Sequence, residues 1–268
     1  MNKTNLEVEN SICDEYLNGI SNKELSIKYN LHRCSVQRII KRNNINIRKQ
    51  NETSRKNELI NFKGDIISNN DAYLLGLIYS DGNLSRNCIE ICLVEDDKQI
   101  LEDVSKYVYD YIKLSYRKSK KFIKNKKEYI SKGQFRFNIT SISVANKLRF
   151  IGLCENKSLK IRLPKKKEEY YSHFIRGLFD GDGCIFISKR YKNTNRVTIV
   201  SNPEFCIDLQ SKIKEFLNIT VCIYKKTKNV NTLSISGNNQ IEKFMDWLYK
   251  DSDLKLNRKY FKYKTEYK

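Results

Sequence analysis

Two aspartates occupy matching places in this chain. Asp81 closes the run Asp71 to Gly82 (DAYLLGLIYSDG), and Asp182 closes Ser172 to Gly183 (SHFIRGLFDGDG). Each follows an apolar stretch of helical character with a glycine inside it, Gly76 in one copy and Gly177 in the other, at the same offset. A mid-helix glycine costs about 1 kcal/mol against alanine, so something must offset that cost twice. If the glycines let the two helices pack backbone to backbone, both C-terminal ends, and Asp81 and Asp182 with them, come side by side. Two carboxylates at the negative ends of two helix dipoles repel each other. A divalent cation between them turns repulsion into attraction, because carboxylates and dipole ends then face the same charge. Mg2+ (or Mn2+) suits such a place: it takes one or two carboxylates, keeps several waters and accepts phosphate oxygens. Gly82 and Gly183 are expected to end their helices in the left-handed conformation, freeing the preceding carbonyl to turn toward the metal. One Asp-Gly after an apolar helix is merely a helix stop and a turn. The second copy in matching context is what points to a site.

Other chemistries find less support. The eight cysteines stand at 13, 34, 88, 92, 154, 184, 206 and 222, with no CxxC pair, and the two histidines are His32 and His173. Zinc wants thiolates and imidazoles at short paired spacings, so reduced thiols serving as small core residues are expected instead.

The elements that would position the aspartates also repeat. Each unit reads as an apolar helix ending in Asp-Gly, then two strand-like runs (Asn83 to Val94; Cys184 to Val200). A helical stretch follows (Asp97 to Ile112; Pro203 to Leu217), then two more strands (Leu114 to Ile123 with Gln134 to Thr140; Thr220 to Lys226 with Thr232 to Ser236). A last helix closes each unit (Val144 to Phe150; Gln240 to Tyr249). The fold class is therefore α+β: two pseudo-symmetric αββαββα halves, 69–165 and 166–268. Residues 1–48 form a separate small all-α domain. Asn10 to Leu17 has helical spacing, Ser21 and Glu24 make a capping box for a second helix, and Ser35 is expected to cap a third. Val36, Ile39 and Ile40 would face inward, while Gln37, Arg38, Lys41 and Arg42 face outward, in the manner of a helix-turn-helix. A plain three-helix cap would show the same pattern. Residues 49–68, polar and basic, read as a linker.

Composition narrows the partner. Lys+Arg 51 against Asp+Glu 31 leaves +20, and 17 Tyr and 12 Phe speak against a disordered tail. The lysines cluster in four runs that read as strands and loops, among them Arg117 to Lys127 and Lys157 to Lys167, interleaved with aromatics. A membrane surface would want a basic amphipathic helix or a lipidation signal; nucleic acid is favoured. No run approaches about eighteen apolar residues, and MNKTNLEVEN lacks the apolar stretch of a secretory signal. An intracellular, cytoplasmic protein is expected, prokaryotic or phage-encoded.

The two motifs, LLGLIYSDG and IRGLFDGDG, together with GLCENKSLKIRLP between the halves, resemble the LAGLIDADG homing endonucleases in their single-chain, two-motif form. The resemblance covers about residues 70–265. It implies that Asp81 and Asp182 bind the divalent metals and activate water, assisted by the backbone carbonyls of Ser80 and Gly181. It also implies that the curved sheets form a saddle over double-stranded DNA and that each half cuts one strand. One departure stands out: the earlier acid of the family motif is Asp180 in the second copy and Tyr79 in the first. It lies about 200° round the helix from the metal-binding acid, so Tyr79 is expected to alter packing and leave cleavage intact.

A basic residue near each scissile phosphate would stabilise developing charge. Lys157 and Lys259 are candidates from their context, though membership of a solvated lysine face explains them equally well. Arg117, Lys118, Lys120, Lys189, Arg190, Lys225 and Lys226 would mix phosphate contacts with base reading. Ser35, Gln37, Arg38, Lys41 and Arg42 would add a flanking module. Because the halves differ, the target should be long and not palindromic, read by a monomer that needs no protein partner. The competing reading is a catalytically silent binder of DNA or RNA, a transcription regulator or splicing maturase.

Overall fold

A helix trio opens the chain because three short amphipathic stretches close their apolar faces on one another. The computed structural model describes residues 6–18, 20–47, 58–124, 127–165, 167–188 and 194–267. The chain divides into two units, residues 1–58 and 59–268. In the first unit, α1 (Leu6–Leu17), α2 (Asn22–Lys28) and α3 (Arg33–Arg42) enclose Ile12, Cys13, Tyr16, Leu25, Val36, Ile39 and Ile40. α1 begins a turn earlier than expected, with Glu7 and Glu9 where the dipole favours acids and Val8 packed on the core. The capping box of α2 is present: Ser21 Oγ accepts from Glu24 N at 3.3 Å, and Glu24 Oε2 accepts from Ser21 N at 3.0 Å. α3 departs from expectation. Its cap is His32, whose Nδ1 accepts from Cys34 N at 3.4 Å, so the helix starts earlier and Ser35 lies inside it.

In the second unit the first half runs α4 (Asn69–Asp81), β1 (Gly82–Ser85), β2 (Cys88–Val94), α5 (Lys98–Tyr109), β3 (Leu114–Arg117), β4 (Lys121–Lys124), β5 (Lys127–Ile130), β6 (Gln134–Thr140) and α6 (Ile142–Phe150). The second half runs α7 (Tyr171–Asp182), β7 (Gly183–Phe186), β8 (Arg196–Ser201), α8 (Pro203–Leu217), β9 (Cys222–Thr227), β10 (Val230–Ser236), α9 (Asn238–Tyr249) and α10 (Asn257–Phe261). Each half has one four-stranded antiparallel sheet, ordered β1-β2-β6-β3 and β7-β8-β10-β9. The αββαββα unit is therefore present twice. Register sorts the side chains: Ile89 opposes Ile139 and Ile91 opposes Phe137 on the core face, while Glu90 opposes Asn138 and Cys92 opposes Arg136 on the other. In the second sheet Val197 and Ile235, with Ile199 and Leu233, face the core, and Thr198 and Ser234 take the opposite face. Both halves contribute to one continuous core centred on α4 and α7.

Two expectations need correction. The linker does not extend to residue 68: Phe62 is buried in the core, Leu59 and Ile66 pack on it, and Ile60 N donates to Val108 O at 2.9 Å. Three apolar residues without a period can still dock as an irregular segment, which a periodicity reading passes over. The strand expected over Leu114 to Ile123 ends at Arg117, and the chain turns away into the separate β4–β5 hairpin. The eight cysteines are all free, with Cys13 and Cys206 buried.

Candidate active site

The site is made by how closely α4 and α7 approach. A Cβ on Gly76 would stand 2.0 Å from Phe174 O, and one on Gly177 would stand 2.0 Å from Tyr73 O. Backbone thus meets backbone in both directions, and any side chain would force the helices apart. Gly82 and Gly183 are glycine for a related reason, not the expected one. Both are extended, with φ of −78° and −87°, and each helix passes straight into its strand. A Cβ would lie 2.5 Å from Ile78 O at Gly82 and 2.4 Å from Phe179 O at Gly183. Close approach, and not left-handedness, selects these two glycines.

This packing lays the end of α4 over the end of α7. A Cβ on Gly181 would lie 2.2 Å from Asp81 Oδ2. Among the described residues Asp81 Oδ2 is buried and meets no donor in hydrogen-bond geometry; the neighbouring Ser80 hydroxyl, near enough to favour the charged carboxyl, donates to Leu77 O at 3.1 Å. Burial raises the Asp81 pKa, against the pull of Lys259 and Lys157. Asp182 is open to solvent on one side, yet protein crowds its other side. Its carboxyl is pushed up to about 6, first by burial and then by Asp81, with Lys157 and Lys259 opposing. The carboxylates are therefore close enough to feel each other's charge.

Lys157 and Lys259, only 8% and 6% exposed, reach the same helix ends. Lys157 Nζ donates to Ser80 O at 2.6 Å. Lys259 Nζ donates to Phe179 O and Asp180 O, both at 2.7 Å, and to Gly181 O at 3.3 Å. They are not part of a solvated face. Burial lowers both ammonium pKa values, while Asp182 and Asp81 oppose this at Lys157, and Asp180 and Asp81 at Lys259. Each lysine neutralises the negative end of a helix whose last carbonyls lack helical partners.

The donor set fits a divalent cation in part. Two hard carboxylates lie near enough for one to feel the other's charge, one of them with a buried oxygen that meets no donor among the described residues, which suits an ion that takes few protein ligands and several waters. The carbonyls of Ser80 and Gly181 already accept from lysine, so they are poorer candidates than the carboxylates. No group of three or more His, Cys, Asp or Glu able to hold a metal occurs among the described residues.

Around this centre the halves diverge. Tyr79, buried, donates its hydroxyl to Ile151 O at 3.2 Å and meets Phe174 edge-on at 5.3 Å. At the matching place Asp180, also buried, accepts from Tyr73 Oη at 2.9 Å, Tyr249 Oη at 3.0 Å and Leu256 N at 2.7 Å. Its carboxyl is pushed up to about 6 by burial, which those bonds partly offset. Beside it Arg176, fully buried, donates to Leu254 O and Leu248 O, contacts His173 Nδ1 at 2.7 Å and stacks over Tyr73. Burial and Arg176 push His173 down to about 4. Sequence reading weighed His173 only as a metal ligand and gave Arg176 no role; the signal for Arg176 was a charged residue next to the glycine of an otherwise apolar helix.

The basic candidates are distributed more widely. Arg117 ends β3, Lys118 and Lys120 lie in the connection beyond it and not in a strand, and Lys225 and Lys226 are exposed on β9. Lys189 and Arg190 lie outside the described residues. In the first unit Gln37, Arg38 and Lys41 are exposed, Ser35 is half-buried, and Arg42 pairs with Glu9. The open sheet faces supply residues the sequence reading did not select. They include Gln134, Arg136 and Asn138 on the first sheet, with Arg136 3.5 Å from Glu90, and Arg196, Thr198 and Tyr224 on the second. Strict alternation along the strands was the signal that could have found them.

A helix pair crossing at glycines, two sheets of equal strand order and carboxylates at the helix ends together define the LAGLIDADG fold, here with both halves on one chain. Residues 169–247 match the LAGLIDADG-like domain. The homing endonuclease I-WcaI, solved bound to its DNA recognition sequence, is similar with a TM-score of 0.52 at 16% identity, over 82% of this chain and 97% of that one. Full-length DUF199/WhiA from Thermatoga maritima is similar with a TM-score of 0.45 at 21% identity, over 80% of this chain, which spans 65% of that protein's length. An uncharacterized protein of Methanocaldococcus jannaschii is 26% identical over 211 residues, 72% of this chain and 71% of that one. No helix among the described residues is long and apolar enough to cross a membrane.

Proposed function

We propose that this protein is a site-specific DNA endonuclease that makes a double-strand break by divalent-metal-dependent hydrolysis, and that it serves the spread of its own gene or intron. One observation carries the reading: among the described residues Asp81 Oδ2 is buried without a donor in hydrogen-bond geometry, within reach of the charge of Asp182, at the meeting point of two helix ends. Such an arrangement is unfavourable by itself and becomes favourable around a cation and a phosphate. Asp81 and Asp182 would hold Mg2+ or Mn2+, which supplies a water of lowered pKa and neutralises charge on the phosphate and the leaving oxygen. Lys157 and Lys259 hold the carbonyls at the helix ends and offset part of the carboxylate charge. The open sheet faces, with Arg117, Lys225 and Lys226, and the neighbouring Lys118 and Lys120, would follow the two half-sites as a saddle; Lys189 and Arg190, outside the described residues, are proposed to join them. Gln37, Arg38 and Lys41 would contact flanking DNA. The faces differ: the first offers Gln134, Arg136 and Asn138, while the second offers Arg196, Thr198 and Tyr224. Different half-sites follow from that difference.

A second reading is binding without cleavage. The lysines on Ser80 O and Gly181 O favour it, since built-in cations already occupy carbonyls expected to face the metal. Incubating the protein with a randomised duplex library and Mg2+, then sequencing the ends produced, separates the two. The endonuclease reading expects defined ends whose yield falls by a factor of about 100 or more in Asp81→Asn/Asp182→Asn while binding persists. Specific binding with no cut, indifferent to the double substitution, establishes the binder.

A further inference from the structure

The two lysines at the helix ends are held by different means. Lys259 lies in the first turn of α10, whose opening amides return to Leu256: Lys259 N and Tyr260 N both donate to Leu256 O at 3.1 Å. Leu256 is itself anchored by its own N–H, which donates to Asp180 Oδ2 at 2.7 Å. The ammonium of Lys259 then comes back to the backbone of the residues around Asp180, on Phe179 O, Asp180 O and Gly181 O. The loop is closed: carboxylate, Leu256, α10, ammonium, and again the helix end that carries the carboxylate. Tyr73 Oη from α4 and Tyr249 Oη from α9 fix the carboxylate in place. In the first half Tyr79 stands where Asp180 would be. Among the described residues its hydroxyl reaches a carbonyl and no second acid, Ile151 O at 3.2 Å, and Lys157 bonds to Ser80 O.

We propose that Asp180 is the positioning residue for Lys259, so that the second half's site is set through a buried carboxylate anchor that the first half lacks. Asp180 touches neither DNA nor the reacting atoms. It fixes where α10 begins and therefore where the ammonium lands. The consequence for function rests on the endonuclease reading: loss of the anchor impairs one strand's cleavage and spares the other.

Two measurements on the full chain test this. Reductive methylation of the free protein, with peptide mass spectrometry, reads the accessibility of each lysine without DNA or metal. In Asp180→Ala, Lys259 is expected to modify about tenfold faster than in wild type, with Lys157 within about twofold. Asp180→Asn keeps the shape but leaves one oxygen for three donors, so it should move Lys259 in the same direction and less far; it serves if the alanine variant does not fold. With a target duplex labelled on each strand, the variant should cut one strand about tenfold more slowly and accumulate nicked product. Unchanged Lys259 labelling in a folded variant overturns the proposal, as does equal slowing of both strands. If the wild-type protein cuts nothing, the endonuclease reading fails, and the labelling still decides whether Asp180 places Lys259.

Discussion

A carboxyl that holds its proton to about pH 6 beside a second carboxylate is a source of repulsion in the folded protein. Asp182 is in that position, through burial first and Asp81 second. Its folded pKa lies above the unfolded value of 3.8, so between about pH 4 and 6 the native state binds more protons than the unfolded state. The contribution of Asp182 to stability is therefore most favourable below this window and declines as pH rises through it. Asp180, also pushed up to about 6, titrates over the same range, so wild type alone does not separate the two. Asp182→Asn removes only one contribution. In a chelator, its melting temperature should exceed that of wild type near pH 7.5, and the excess should shrink toward zero near pH 4. Thermal unfolding by circular dichroism at both pH values reads this; an excess of the same size at both would refute the raised pKa of Asp182. At this scale the sequence made the acids visible, because their type and repeated context carry the information. It left open whether Lys157 and Lys259 were functional or solvated, since a lysine's partner here is a carbonyl dozens of residues away.

Among the elements, the helix pair decides whether a site exists at all. Gly→Ala inside an ordinary helix stabilises by about 1 kcal/mol. At Gly76 the added methyl would lie 2.0 Å from Phe174 O, so the sign should reverse. Overpacking against backbone costs about 1–3 kcal/mol and more where nothing can yield, giving an expected net loss of about 2 kcal/mol in a denaturant titration of Gly76→Ala. A higher unfolding midpoint would mean that the helices do not meet there. The repeated glycines made this contact legible, because the cost of a mid-helix glycine asks for a reason. Gly82 and Gly183 show the limit of the same reasoning. A glycine after a helix suggests a left-handed end, yet here the reason is the Ile78 and Phe179 carbonyls, which only three-dimensional packing brings close. His32 illustrates a further limit, as a cap that competes with the more familiar Ser35 and wins by starting α3 earlier. The segment 59–68 was missed because docking without periodicity leaves no trace in a pattern.

At the scale of the whole molecule, the chain carries a charge of +20 and two distinct cores, and the proposed function gives each unit its own share of the DNA. The cores share no residue, so substitutions on the exposed face of α3 should leave the second unit's stability and chemistry unchanged. Their effect belongs to binding. A tethered module raises the effective concentration of its partner on the same DNA, and each phosphate contact adds to the salt dependence of binding. Arg38 and Lys41 are exposed and, unlike Arg42, are not drawn into a pair with Glu9. In Arg38→Ala/Lys41→Ala, the slope of log affinity against log salt should fall by about 2, and the footprint should shorten on one flank. Cleavage at saturating protein should keep its rate, because Asp81, Asp182, Lys157 and Lys259 all belong to the other unit. A salt slope equal to wild type would show that α3 contacts no phosphate, and the first unit would then be a helical cap with no part in target recognition.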